Sequence, residues 1–192
     1  RATHSHHGAW PLDYTAVTAR VYSGLLFCPP PLCLMTDNNT TATPSSYDAV
    51  IIGAGAAGLF CAAQAGQLGL KVLLIDHAEK VAEKIRISGG GRCNFTNRDL
   101  DVRQPHRHFV GQNPQFCRSA LSRFGPAEFV ALVDKHGIAH HEKHKGQLFA
   151  DHSAEDIIAM LLAECRAGEV THWQPCAVNA VAALDADAQG QR

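Results

Sequence analysis

Three glycines at fixed spacing constrain this chain more than any other feature. Gly53, Gly55 and Gly58, interleaved with Ala54, Ala56 and Ala57, form G-x-G-x-x-G. The run before them, "YDAVIIG", is apolar and rich in β-branched residues, as a buried parallel strand requires. The run after them, "AAGLFCAAQAGQLG", favours a helix, with Gly69 as its terminator. "LKVLLID" then reads as a second buried strand, closed by Asp76. Two strands joined by one helix, with no room for a hairpin, make a right-handed βαβ crossover. In that setting each glycine has a task. Gly53 permits the tight turn out of the strand, Gly55 lets the backbone approach a pyrophosphate, and Gly58 lets the helix pack on the strand. The leading N–H groups of the helix and its positive dipole end then face the phosphates. Asp76 is placed to accept hydrogen bonds from ribose hydroxyls. A carboxylate there repels a 2′-phosphate, so the site suits FAD or NAD better than NADP. A glycine-rich helix start without a ligand is the plainer alternative.

A second glycine-rich stretch, "EKIRISGGGRCNFTN", follows by a short link. Gly89, Gly90 and Gly91 in succession serve neither helix nor strand stability. They suggest backbone N–H groups wrapped around an anion or a flat ring, with a flexible surface loop as the alternative. Arg92 beside them is suited to neutralising phosphate charge. Asn94 and Asn97 are suited to the polar edges of a flavin or its ribityl chain. Ser88 reads as a loop hydroxyl rather than an activated nucleophile. Cys93 has no neighbouring cysteine with which to cycle as a disulfide, so it reads as packing.

Elsewhere strand and helix patterns continue to alternate. "PAEFVALVDKHG" carries Pro126 at a first helical position and Gly137 at its end. "IAHHEKHKGQLFA" reads as a hairpin turning near Lys145–Gly146. "SAEDIIAMLLAECRAG" has a capping-box pattern in Ser153 and Asp156 and stops at Gly168. Residues 1–46 open with "RATHSHHGAW" and close with "TDNNTTATPSS", neither of which holds apolar periodicity and the second of which is a polar linker-type run, so they are expected to form an unstructured leader, with translation starting at Met35. Residues 47–192 are expected to be the N-terminal part of a dinucleotide-binding domain. The final "AVNAVAALDADAQGQR" reads as a strand whose return partner is missing, so truncation at Arg192 is expected.

Bulk properties narrow the class further. The 192 residues suffice for one domain with a real core. A formal net charge of -1 offers nothing to a polyanion, so no nucleic-acid partner is expected. The seven cysteines are scattered and odd in number, and none forms C-x-x-C. They read as reduced thiols of a cytoplasmic protein rather than zinc ligands. His136, His140, His141 and His144 crowd together, but Gly137 breaks any helical face. Surface or hairpin roles are expected for them, and no metal site. The apolar run "VYSGLLFCPPPLCLM" is too short and too broken by prolines to span a membrane.

"YDAVIIGAGAAGLFCAAQAGQLGLKVLLID" together with "KIRISGGGRCNFTN" resembles the aminoacetone oxidase-like, or BaiN-like, family of NAD(P)/FAD-dependent oxidoreductases. The similarity runs from about Tyr47 to the end, and "SGGGRCN" is its specific part. The resemblance implies an α/β fold: a Rossmann-like FAD-binding domain, parallel sheet with helices, truncated at its C-terminus, and a second domain inserted into it. It also implies that Gly53 to Gly58 and Asp76 hold the ADP half of FAD, while Lys84 and Arg92 to Asn94 lie along the rest. The chain departs from the family in having Asp76 where Glu is usual, and Phe149–Ala150 where Phe-Pro is common.

The expected function is therefore an FAD-dependent oxidoreductase moving hydride or electrons between an organic small molecule or NAD(P)H and flavin. An NAD-dependent dehydrogenase and a non-catalytic FAD-binding module are the alternatives. A flavoprotein acting on RNA is a further one, against which the neutral charge argues. No catalytic side chain and no oligomeric state is assigned.

Overall fold

The computed structural model describes residues 17–22, 25–28 and 45–184. The strands are β1 (Val17–Tyr22), β2 (Leu25–Cys28), β3 (Ser45–Tyr47), β4 (Ala49–Ile52), β5 (Val72–Ile75), β6 (Asn94–Asn97), β7 (His140–Glu142), β8 (Gln147–Ala150), β9 (Thr171–Trp173) and β10 (Val178–Leu184). The helices are α1 (Ala56–Gln67), α2 (Glu83–Ile87), α3 (Arg118–Leu121), α4 (Pro126–Lys135) and α5 (Ala154–Ala167).

The strand–helix–strand unit of β4, α1 and β5 lies where the glycine pattern places it. β4 and β9 flank β5 in a three-stranded, wholly parallel sheet, with Ile51 opposite Leu74 and Leu74 opposite His172. Val72, Leu73, Leu74 and Ile75 are all buried, which is why this strand reads as a continuous apolar run instead of an alternation. Each such side chain contributes roughly 1.5–3 kcal/mol. Their alternate members face two cores. Val72 and Leu74 pack with Leu59, Ala62 and Ala63 of α1 and Ile157, Ile158 and Leu161 of α5. Leu73 and Ile75 pack with Tyr47, Trp173 and Cys176 on the other side.

A second sheet runs β6–β8–β7, all antiparallel. The β7–β8 hairpin turns at Lys145 and Gly146, both at positive φ, in agreement with the hairpin expected there. A third sheet has the order β10–β1–β2–β3, with β1 parallel to β10 and antiparallel to β2. Two of its strands, β1 and β2, fall inside the stretch expected to be an unstructured leader, and β10, expected to lack a partner, pairs with β1. Ser45 and Ser46 of β3 also belong to that stretch; its other residues, Met35 among them, and the final residues 185–192 lie outside the described residues.

Small residues set the distance between α1 and α5. A Cβ on Gly66 would sit 2.3 Å from the Gly168 carbonyl oxygen. Across the same interface Glu164, only 6 % exposed, accepts a hydrogen bond from Gln67 Nε2 (2.7 Å), and from the end of α4 it accepts from Lys135 Nζ (3.1 Å) and His136 Nε2 (2.6 Å). His136 is thus a hydrogen-bond partner of Glu164 at a helix end, which differs from the surface or hairpin role expected of it. Those donors, the His136 bond foremost, hold the Glu164 carboxyl down at about 2 despite its burial. The folded state therefore binds this proton more weakly than the unfolded chain. The stability it supplies is complete above about 4.5 and fades as pH falls toward 2. Glu164→Gln is expected to cost about 3 kcal/mol at neutral pH and to flatten the acid limb of stability between those values. Urea unfolding from pH 7 to pH 3 measures both effects, and an unchanged acid limb would contradict the assignment.

Candidate functional site

The G-x-G-x-x-G turn is fixed at both ends by the backbone. Gly53 N–H donates to Ile75 O at 2.7 Å and Leu59 N–H begins the helix on Gly55 O at 2.9 Å. No side chain caps α1, and no acidic residue stands in its first turn. Among the described residues, the N–H groups of Ala56, Ala57 and Gly58 have no backbone or side-chain acceptor. The space beside Gly55 is open, with nothing within 4 Å of where its Cβ would lie. Gly58 is the opposite case: a Cβ there would be 1.8 Å from Gly53 O, so only glycine lets the helix start this close to the strand end.

Asp76 ties the second strand to this turn. Its Oδ2 accepts from Ala54 N–H at 2.5 Å and its Oδ1 from Ala78 N–H at 2.7 Å, and the side chain is 10 % exposed. The carboxylate is already held in place by two backbone donors and keeps further lone pairs toward the cleft that it lines.

That cleft measures about 910 Å³. It is lined by Gly55, Ala56, Ala57 and Asp76 on the nucleotide-fingerprint side, and by Lys84, Ser88, Cys93 and Asn94 from the second glycine-rich stretch. Two separated motifs thus share one cavity. Gly53, Ala54, Gly58, Gly89, Gly90, Gly91 and Arg92 are not part of its lining.

The reason is local geometry. The stretch read as a loop is a helix, a tight turn and a strand: α2, a 3₁₀ turn over Ser88–Gly90, then β6. Gly89, Gly90 and Gly91 have φ of +59°, +69° and +83°, so the turn spends its glycines on backbone shape. Gly89 also has no room for a side chain, since a Cβ would meet the Phe149 ring at 2.7 Å. The Gly91 carbonyl accepts from Ala154 N–H at 2.7 Å, which welds the turn to the start of α5. Ser153 caps that helix through Glu155 N–H, at 3.1 Å. Asn97, assigned to flavin edges from sequence, instead holds the hairpin by donating to Lys145 O at 2.9 Å. Cys93 is buried, and burial pushes its thiol up, away from the reactive thiolate.

The sequence reading missed the aromatic wall of the cleft. Phe60, Phe95, Phe124 and Phe129 line it, with Ile157 and Leu161. Phe60 and Phe124 have ring centroids 4.8 Å apart, and Phe95 and Phe129 are 5.9 Å apart. One signal was present. Phe124 and Phe129 occupy the staple positions flanking the α4 cap, where Glu128 Oε2 accepts from Gly125 N–H at 2.8 Å. Phe60 lies one turn after Ala57, on the same helix face.

Among the described residues no group of three or more His, Cys, Asp or Glu is arranged to hold a metal ion, and no helix is long and apolar enough to cross a membrane.

Residues 47–190 match the family model described as HI0933-like protein Rossmann domain. A ribosomal RNA dihydrouridine synthase of Escherichia coli K12 is 57 % identical over 125 residues, covering 65 % of this chain and 30 % of that protein. A protein of the same name from Haemophilus influenzae is 51 % identical over 116 residues, covering 60 % of the chain and 28 % of the relative. A 3-dehydro-bile acid delta(4,6)-reductase of Clostridium scindens is 33 % identical over 90 residues, 46 % of the chain and 21 % of the relative. The chain spans about 30 % of the length of the first two. The exclusion of a nucleic-acid partner does not stand beside two relatives named for ribosomal RNA. A net charge summed over a whole chain hides any local run of one sign. Nor are these relatives named for aminoacetone oxidation, so the narrower part of the resemblance gives way to the broader family.

Proposed function

The chain belongs to the HI0933-like Rossmann domain family, and from that premise we propose that it forms the dinucleotide-binding part of an FAD-dependent oxidoreductase whose substrate is a uridine of ribosomal RNA. The observation that carries the FAD assignment is the uncapped start of α1 opening, beside Asp76, into a cleft shared with the second glycine-rich motif. The donor set fits the group. Three backbone N–H groups without acceptors suit a pyrophosphate. Open space at Gly55 admits the backbone's approach to it, and a fixed carboxylate suits a ribose diol. Lys84, Ser88 and Asn94, with Arg92 nearby in sequence, suit the ribityl and flavin portion, and the aromatic wall suits a flat apolar ring.

FAD, when bound, supplies the hydride-transfer chemistry that no amino-acid side chain provides. The chain's own residues bind and orient. The α1 terminus offsets phosphate charge, Asp76 fixes the sugar, and the four phenylalanines keep water from the cleft wall. The RNA assignment rests on the two relatives' names and on their identity to this chain over 125 and 116 residues. Conversion of uridine to dihydrouridine adds one hydride and one proton across a ring double bond, and NAD(P)H is the proposed source of the hydride.

The test is direct. Purified full-length protein is expected to be yellow and to release FAD on denaturation. With NADPH or NADH it is expected to raise the mass of a uridine in ribosomal RNA from a strain lacking the enzyme by two hydrogens. Colourless protein that binds NAD would overturn the flavin assignment. FAD-loaded protein that oxidises NAD(P)H but never modifies RNA would overturn the substrate alone.

A further inference from the structure

Residues 98–125 join β6 to α4 with only a 3₁₀ turn at Pro105–Arg107 and the four-residue α3 between them. Connections of this length are uncommon inside a compact domain and usually carry function. This one adds little to the core, since Pro105 and Gly125 are its buried residues. It is nonetheless ordered by its own backbone. His108 N–H donates to Pro105 O at 2.9 Å, Arg118 N–H to Gln115 O at 3.0 Å, and Asp101 N–H to His108 Nε2 at 3.1 Å.

Its composition departs from the rest of the chain. From Val102 to Ala127 there is no Asp or Glu, while Arg103, Arg107, Arg118 and Arg123 all occur, with His106 and His108. Among the described residues, the arginines in ion pairs are Arg86 and Arg98. Arg123 meets only the Ser119 hydroxyl, at 3.0 Å. Between the two arginine pairs stand exposed aromatic rings: Phe109 is 39 % and Phe116 is 86 % exposed. The segment ends at Phe124, in the wall of the cofactor cleft.

We infer that residues 103–123 form the surface on which the RNA substrate lies, with the arginines on its phosphates and Phe109 and Phe116 stacked on unpaired bases. The inference rests on the proposed RNA substrate and adds a place to it. Asp101 at the start of the segment faces Arg103 and Arg107 without a direct ion pair, and four arginines with no acid between them are the electrostatic footprint of a polyanion partner. Exposed rings interleaved with them distinguish single-stranded nucleic acid from an anion that is merely charged, because every base offers a face to stack on. The segment then leads the strand toward Phe124, where chemistry on a base requires that base to leave its stack.

The experiment is fluorescence anisotropy with FAD-loaded full-length protein and a labelled single-stranded oligouridine of about 12 nucleotides, across a range of potassium chloride concentrations. The double variant R107Q/R118Q is expected to bind at least tenfold more weakly, with a salt slope shallower by about 0.7 for each phosphate no longer neutralised. F116A is expected to lose about tenfold in affinity for the oligonucleotide with its salt slope unchanged. It is also expected to bind inorganic polyphosphate as the wild type does. Released-flavin absorbance confirms that each variant is folded and loaded; if the first double variant is not, R103Q/R123Q carries the same expectation. Wild-type protein that binds no RNA would overturn the RNA substrate and this surface together. Wild-type binding equalled by both variants would overturn the surface alone. F116A weakening polyphosphate and RNA alike, or variants losing an oligoglutamate peptide but not RNA, would also overturn it, the latter in favour of an acidic protein partner.

Discussion

Gly58→Ala is expected to destabilise the protein strongly. The added Cβ would fall 1.8 Å from the Gly53 carbonyl oxygen and 3.0 Å from its carbon, both backbone atoms with no rotamer by which to yield. Relief requires α1 to retreat from β4, and α1 carries Leu59, Ala62 and Ala63 into the main core. Overpacking against rigid backbone combined with loss of that packing places the cost at about 4 kcal/mol or more. That is a large share of the roughly 5–15 kcal/mol by which domains are typically stable. The thermal midpoint should drop by roughly 10 °C for a domain of this size. A G58A variant melting with the wild type would mean that the helix start does not press on the Gly53 carbonyl.

Gly55→Val should behave in the opposite way. Its backbone, at φ -82° and ψ -170°, is extended and open to any residue, and nothing lies within 4 Å of the new Cβ. Stability of the flavin-free protein should stay within about 0.5 kcal/mol of wild type. The isopropyl group would instead occupy the space through which a pyrophosphate reaches the Ala56 and Ala57 N–H groups. Losing two charge-assisted hydrogen bonds of about 1.5 kcal/mol each lowers FAD affinity on the order of 100-fold. Flavin titration of the stripped protein measures this. Two glycines three residues apart thus separate the roles of the motif, one in the fold and one toward the ligand. Full FAD affinity in G55V would remove the pyrophosphate from the helix start.

What the sequence disclosed follows from the range of the forces involved. The βαβ unit, α4, the β7–β8 hairpin and α5 were legible because each is specified by neighbours: Gly69 and Gly168 as stops, Pro126 and Ser153 as starts, Lys145–Gly146 as the turn. The common cleft was only half legible. Its residues span Gly55 to Leu161, and nothing local tells Phe95 and Leu161 that they face one cavity. The three glycines at 89–91 were ambiguous in sequence, because positive φ and ligand wrapping ask for the same residue. Asp76 lines the cleft at the end of β5, yet its bond to Ala54 N–H depends on the meeting of β4 and β5 and could not be read from position alone. Pairing of β1 with β10 lay beyond reach, since strands so far apart in the chain leave no periodicity to find.

The cleft walls come from the α1 terminus, the α2–β6 turn, the end of the long connection at Phe124, and the inward face of α5. Any molecule seated among them fastens segments that the chain itself joins only distantly, and so acts as a clasp. Occupancy then makes opening of the arginine-rich connection more costly, because Phe124 anchors it against the same molecule. In this arrangement a bound molecule would also be a structural keystone: its departure would loosen the arginine-rich connection that ends at Phe124.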